Sequence, residues 1–273
     1  MKIRIATCVT LPEPDADEAP LAAALAAAGI EAPLVAWDDP AADWDAPVPT
    51  LIRSTWNYAL HLEAFLAWVE RASAAAPLVN PAEVVRTNLR KRYLLELHAR
   101  GVPAVPTTLV ERDGRCELPA SRTVIKPEIG AGSLNARVFA DGRDGAAHLA
   151  ALTATGAALV QPYIDSVDTY GERSLIWIDG DFTHAIRKTP RFAGDRERTE
   201  GPFPIADEER TIAAAALAPY ADRILYGRVD LVRDSAGRPM VMEVELVEPS
   251  LFFPRHPPAL ERFVAALVRR LNS

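Results

Sequence analysis

Residues 227–247, GRVDLVRDSAGRPMVMEVELV, read as two strands joined by a turn at Asp234–Arg238. Strand residues two apart share a face. Val229 and Leu231 therefore point one way and Arg228 and Asp230 the other, while Glu243 and Glu245 oppose Met242, Val244 and Leu246. A turn centred between Ala236 and Gly237 sets Asp230 across from Glu243 and Arg228 across from Glu245. Three carboxylates and one arginine then occupy one patch. Like charges so close on a rigid sheet raise one another's pKa unless a cation compensates them, and an all-oxygen set suits Mg²⁺. An ordinary solvated face of an edge hairpin accounts for the same alternation, and the hairpin alone does not separate the two readings.

Upstream, SLIWIDGDFTHAIRK (174–188) is a second hairpin with an Asp179-Gly180 turn, and counting across that turn sets Arg187 opposite Glu172. The segment 189–204, TPRFAGDRERTEGPFP, is charged and rich in Pro and Gly, which predicts a mobile surface loop; DEERTIAAAALAPYA follows as a helix. In LVQPYI (159–164), Pro162 removes a backbone donor, so the backbone beside it is open to a flat hydrogen-bonding ligand or is simply a strand end. TVIKPEIGAGS (123–133) puts Lys126 on a strand before Gly130, Gly132 and Ser133, whose amides can approach phosphates. It fits neither a P-loop nor a dinucleotide turn, because ARVFA after it reads as a strand, so the loop caps a hairpin. Nearer the start, KIRIATC, APLVAW, TLIRST and PLVN alternate with two helical stretches as a small parallel α/β layer, and residues 81–102 read as one long helix ending at Gly101.

The 273 residues carry 49% hydrophobic and 25% charged side chains, with 30 Lys+Arg against 37 Asp+Glu and a net charge of −7. That excludes disordered and fibrous classes and gives no electrostatic reason for a nucleic-acid or anionic-membrane partner, leaving a small molecule. The N-terminal stretch lacks a signal-peptide core and no apolar run is long enough to span a bilayer, so a cytoplasmic protein is expected. Cys8 and Cys116 read as free thiols.

In this order the motifs resemble the ATP-grasp superfamily over roughly residues 84–251. They run from RKRYLLELHARGVPAVPTTLV through VIKP and its glycine loop, QPYI, GERSL, AIRKTP and GRVDLV to MEVELVEPS. The implied architecture is α/β, with α+β character in the C-terminal part: an ATP-grasp fold preceded by a small parallel α/β domain. Its expected divisions are an N-terminal domain at 1–83, a central lid at 84–160 and a catalytic part at 161–273. RSTWNY, NPAEVVRTNLRKRYLLEL, HAIRKTP and ELVEPSLFF most resemble the small ligases typified by the cyclo-ligases that close the D-cycloserine ring.

The resemblance implies ATP and Mg²⁺ as cofactors, a small amino-acid-like substrate and a homodimer. Lys91 and Lys126 would hold phosphates under the Gly130, Gly132 and Ser133 loop, while Gln161 and the backbone of Pro162, Tyr163 and Ile164 read the adenine. Glu172 would take the ribose. Lys188 in the family pattern, or Arg187 by the turn count, would face the transferred phosphate. Asp230, Glu243 and Glu245 would bind the metal, with Glu245 standing where the superfamily commonly has Asn, and Arg228 would stabilise the charged intermediate or hold the substrate carboxylate. Arg53, Thr55 and Tyr58, following the end of a parallel strand, and Ser250 are candidates for the substrate; Trp56 and Tyr58 read equally as packing between domains. The chemistry is carboxylate activation through an acylphosphate, trapped by a nitrogen within the same molecule or by a separate amine. A Ser/His/Asp hydrolase lacks its GxSxG elbow here, and a non-catalytic nucleotide-binding module is disfavoured by the intact Lys126, Asp230, Glu243 and Glu245 set.

Overall fold

The computed structural model describes residues 1–189 and 198–272. Its first layer is a parallel sheet of β1 (Arg4–Thr7), β2 (Leu34–Ala36), β3 (Thr50–Ile52) and β4 (Leu78–Val79) in the order β2-β1-β3-β4. The helices α1 (Glu18–Ala27) and α2 (Leu62–Ala75) connect β1 to β2 and β3 to β4. The four strands anticipated from the sequence are all present.

The helix expected over 81–102 is two, α3 (Ala82–Asn88) and α4 (Tyr93–Ala99). The break has a physical cause. The Asn88 amide donates to the Val244 carbonyl at 2.8 Å and accepts from the Leu246 amide at 2.7 Å, and the Lys91 amide donates to the Glu128 carbonyl at 3.1 Å. Those tertiary bonds replace helical ones in the interruption.

The second sheet holds β5 (Thr108–Val110), β6 (Thr123–Pro127), β7 (Arg137–Phe139) and β8 (Ala158–Pro162) in the antiparallel order β5-β8-β6-β7, with α5 (Ala146–Thr153) packed on β6 and β8. The glycine loop joins β6 to β7, as a hairpin cap should. After the short α6 (Ser166–Thr169) comes a third, antiparallel sheet. It comprises β9 (Glu172–Ile178), β10 (Asp181–Thr189), β11 (Arg198–Phe203), β12 (Tyr226–Arg233) and β13 (Pro239–Glu245), ordered β11-β10-β9-β12-β13. The helices α7 (Asp207–Leu217) and α8 (Pro257–Asn272) complete the chain.

Val229, Leu231 and Val244 bury against α4 and α7 together with Leu175 and Trp177. Each such side chain contributes about 1.5–3 kcal/mol, which ties the hairpin register to the core. On the other side Ile176, Tyr226 and Phe263 share a cluster with Ile3, Leu21 and Leu51, so the first and third sheets are cemented by common apolar contacts. Residue 160, where the central and catalytic divisions were expected to meet, lies inside β8, and Val84, Leu94 and Leu97 of α3 and α4 share one cluster with Leu175 and Val229 of the third sheet and Leu159 of β8.

Part of the segment 189–204 expected as a mobile loop is strand: residues 198–203 form β11, paired with β10 through Lys188 and Thr199; residues 190–197 lie outside the described residues. Cys8 and Cys116 are free thiols, and no helix among the described residues is long and apolar enough to cross a membrane.

His184 on β10 is buried beside His256, ring centroids 4.8 Å apart. Burial first, and His256 second, hold its pKa down at about 4. An unfolded chain takes up that proton near pH 6.5, so the contribution of this group is complete above 6.5 and shrinks as pH falls toward 4, by up to about 3 kcal/mol. Thermal unfolding followed from pH 7.5 to 4.5 should therefore show a shallower acid slope for His184→Phe than for the wild-type chain; equal slopes would contradict the assignment.

Candidate active site

The β12–β13 register sets Asp230 opposite Glu243 and Arg228 opposite Glu245, as counted from the sequence. The turn itself is half a residue off that count, since Arg233 pairs with Pro239, and a bulge at Met242 restores the register before the charged pairs begin. On the neighbouring strands a bulge has the opposite effect. Between Phe182 and His184 the pairing slips by one residue, so Lys188, not Arg187, stands opposite Glu172. Arg187 is instead turned outward, where it pairs with Glu200 and lies over Phe203. Gly171 makes the close approach possible: at φ +81° it lies where an added Cβ would sit 2.5 Å from the Lys188 carbonyl oxygen.

These strands form one wall of a cavity of about 1000 Å³ between the three sheets. Arg228 and Lys188 converge on Asp230 there. The guanidinium donates through Nε to Oδ1 at 2.9 Å and through Nη2 to Oδ2 at 3.0 Å, and Lys188 Nζ donates to Oδ2 at 2.7 Å. Arg228 also pairs with Glu245, and Lys188 lies 3.5 Å from Glu172. Lys91, in the break between α3 and α4, donates to the Gly130 carbonyl at 2.6 Å and pairs with Glu243 at 3.0 Å. One lysine therefore links the glycine loop to β13.

Charges account for the titration behaviour. Burial pushes Asp230 up, but Arg228 and Lys188 outweigh it and the carboxyl is held low. Burial also opposes Glu243, which Lys91 and Lys126 bring below the usual range. Glu245 goes the other way, raised by burial and by the nearby Asp230 and Glu243 in spite of Arg228. Lys126 is pulled down by burial, with Lys91 adding to the effect.

Most of the expected positions meet in this cavity. Lys91, Lys126, Gly130, Gly132, Ser133, Pro162, Tyr163, Ile164, Glu172, Ser250 and Tyr58 line it with the strand residues above, as does Gln161, whose side-chain amide is occupied by the Thr107 hydroxyl at 2.8 Å. Arg53 and Thr55 do not line it. Arg53 is 2% exposed and donates to Asp17 at 3.2 Å and to the Pro249 carbonyl at 3.0 Å. Those bonds position the segment after β13. Asp17 accepts from the amides of Leu251, Phe252 and Phe253 at 2.6, 3.1 and 2.7 Å.

Among the described residues no three such side chains converge closely enough to grip a metal ion. The donor set nevertheless suits Mg²⁺: it is all oxygen, it comes from three neighbouring positions of one face, and its two glutamates stay partly open, at 24% and 29% side-chain exposure. Five acids, Glu172, Asp230, Glu243, Glu245 and Glu248, share this wall with Lys91, Lys126, Lys188 and Arg228, and burial together with neighbouring acids holds Glu172, Glu245 and Glu248 up, as happens where a further cation is missing.

The sequence reading passed over Glu248. It lines the cavity, accepts a hydrogen bond from Tyr58, and is held up at about 8 by burial and then by Glu245. Its signal was a lone acid within the apolar run LVEPSLFF. Asn80 was missed as well; its side chain donates to the Tyr226 and Leu246 carbonyls at 2.8 and 2.7 Å and clamps β12 to β13.

Two lysines beside a glycine loop and an Arg–Asp–Glu–Glu face on a three-sheet chain are the arrangement that the resemblance to ATP-grasp ligases led us to expect. Residues 3–80 match the family described as "D-cycloserine synthetase DcsG, N-terminal domain". The chain is 36% identical to the cycloserine biosynthesis protein DcsG of Streptomyces lavendulae across 98% of both chains. The crystal structure of D-cycloserine synthetase DcsG superposes with a TM-score of 0.89 at 33% identity, covering 99% of this chain and 100% of that one. The chain belongs to the D-cycloserine synthetase family. At 15% identity, the D-alanine–D-alanine ligase from Bacillus anthracis shares the fold, with a TM-score of 0.68 over 98% of this chain and 96% of that one.

Proposed function

We propose that this chain activates the carboxylate of O-ureidoserine with ATP and lets the substrate's own ureido nitrogen close the ring, giving cycloserine. The observation that carries the reading is the shared face of Lys188, Arg228, Asp230, Glu243 and Glu245 inside a cavity of about 1000 Å³, in a chain whose relative is a cycloserine biosynthesis protein. That volume lies at the upper end of the usual range for small-molecule pockets and suits a nucleotide beside an amino acid.

Lys91 and Lys126 hold the phosphates beneath the glycine loop, the 161–164 strand end takes the adenine, and Glu172 takes the ribose. Asp230, Glu243 and Glu245 hold Mg²⁺, which when bound supplies the divalent charge that the wall lacks. A substrate carboxylate oxygen attacks the γ-phosphorus and ADP leaves. Lys188 and Arg228 face that transfer and stabilise charge as it moves, without a protein nucleophile. The ureido nitrogen bonded to oxygen then attacks the acyl carbon and phosphate departs, leaving a five-membered ring with a carbamoyl group on nitrogen. Addition of one water to that group releases carbon dioxide and ammonia. Because the nucleophile is tethered, no second amine site is needed.

The test is incubation of enzyme, ATP and Mg²⁺ with each enantiomer of O-ureidoserine, followed by mass spectrometry. ADP and cycloserine formed without any added amine are expected. ADP release that requires an added amine, with no cyclised product, would reassign the chain as an amide ligase.

A further inference from the structure

The segment after β13 is fastened residue by residue. Trp56 Nε1 donates to the Glu248 carbonyl at 3.1 Å, Arg53 to the Pro249 carbonyl at 3.0 Å and Arg228 to the Ser250 carbonyl at 3.3 Å. The next three amides all go to Asp17. Six consecutive backbone groups are thus committed to side chains, and three of those side chains, Trp56, Arg53 and Asp17, come from the first 56 residues. A turn tied down this thoroughly is a rigid mount, and what it mounts toward the cavity is the Glu248 carboxylate.

That carboxylate differs from its neighbours. Glu172 and Asp230 face Lys188, Glu243 faces Lys91 and Glu245 faces Arg228. No lysine or arginine nitrogen lies within ion-pair distance of Glu248 among the described residues; its partner is the neutral Tyr58 hydroxyl. Lys91 acts on it from beyond that distance, so this half-buried acid is stabilised most by a ligand that brings a cation up to it. It is held on a fixed support beside Arg228, whose guanidinium reaches the far end of the same turn.

We propose that Glu248 recognises the α-ammonium of the substrate while Arg228 takes its carboxylate, so that this wall selects α-amino acids over acids lacking the amino group. The assignment rests on the reading of the cavity as a carboxylate-activating site and names the residue that chooses the substrate there. Tyr58 orients the Glu248 carboxylate, and the fastened turn keeps it from following Arg228.

The experiment is equilibrium titration of O-ureidoserine and of its des-amino analogue, 3-(ureidooxy)propanoic acid, into the wild-type chain and Glu248→Gln, with Mg²⁺ and a non-hydrolysable ATP analogue present. The wild type should prefer the amino compound. Glu248→Gln should bind it about 10–100-fold more weakly, leave the des-amino analogue and the ATP analogue unchanged, and so erase the preference. Tyr58→Phe should lose part of the same preference. A preference that survives Glu248→Gln, an equal loss for both compounds, or failure of the wild type to bind the amino compound would each overturn the proposal. The assay for cyclised product is separate, so a chain that binds with the predicted preference but makes no cycloserine would overturn the proposed reaction and leave Glu248 standing.

Discussion

Arg228→Lys is expected to lower kcat/KM by about 10²–10³-fold while the far-ultraviolet spectrum stays unchanged, even though the charge is conserved. The reason is the shape of the group. A guanidinium reaches Asp230 through two nitrogens, Glu245 through one of the same nitrogens and the Ser250 carbonyl through the third. An ammonium is a point donor and cannot span these directions together. Asp230 keeps Lys188 at 2.7 Å, so the sheet retains an ion pair and the loss should appear in turnover rather than in folding. Near-normal turnover of Arg228→Lys would mean that charge alone matters at this position and that the fork is incidental.

Glu243→Gln should reduce kcat by at least about a thousandfold, with the Mg²⁺ concentration needed for half-maximal rate also rising. The substitution is nearly isosteric but removes one of the three carboxylates proposed to hold Mg²⁺ and the partner of Lys91. Lys91 keeps the Gly130 carbonyl, and loss of one carboxylate relieves the repulsion that Glu243 exerts on Glu245, so the fold should survive the substitution. Denaturant unfolding measured beside the rate separates the two effects. If Glu243→Gln turns over ATP normally, the β12–β13 face is not where phosphates are handled.

How much of this was legible in the chain depended on how local the deciding interaction was. The alternation RVDLV and MEVEL is a property of each strand by itself, so the charged face and its register could be counted. That count also benefited from the bulge at Met242, which cancels the offset at the turn. Across Asp179-Gly180 the same arithmetic chose Arg187 because the slip beyond Phe182 comes from how Thr183 and His184 settle against β9, and nothing in the hairpin's own residues announces it. The family pattern, which carries that slip implicitly, pointed to Lys188. The break between α3 and α4 was hidden for a related reason: Asn88 serves the backbone of β13, over 150 residues away. Arg53 was singled out because a strand end is where ligands sit; its tie to Asp17, which in turn holds the Leu251 and Phe253 amides, joins residues more than 230 positions apart and left no local mark. Glu248 lay beyond the last residue of the alternating strand, where period-two reasoning stops.

The central claim is that the cavity converts a substrate carboxylate into an acylphosphate. O-Ureidoserine carrying ¹⁸O in both carboxylate oxygens tests it directly, because the oxygen that attacks the γ-phosphorus leaves with the phosphate when nitrogen closes the ring. After incubation with enzyme, ATP and Mg²⁺, one labelled oxygen is expected in each inorganic phosphate and one in the ring carbonyl of cycloserine. Phosphate released without label, with both labelled oxygens still on the unreacted amino acid, would contradict the account.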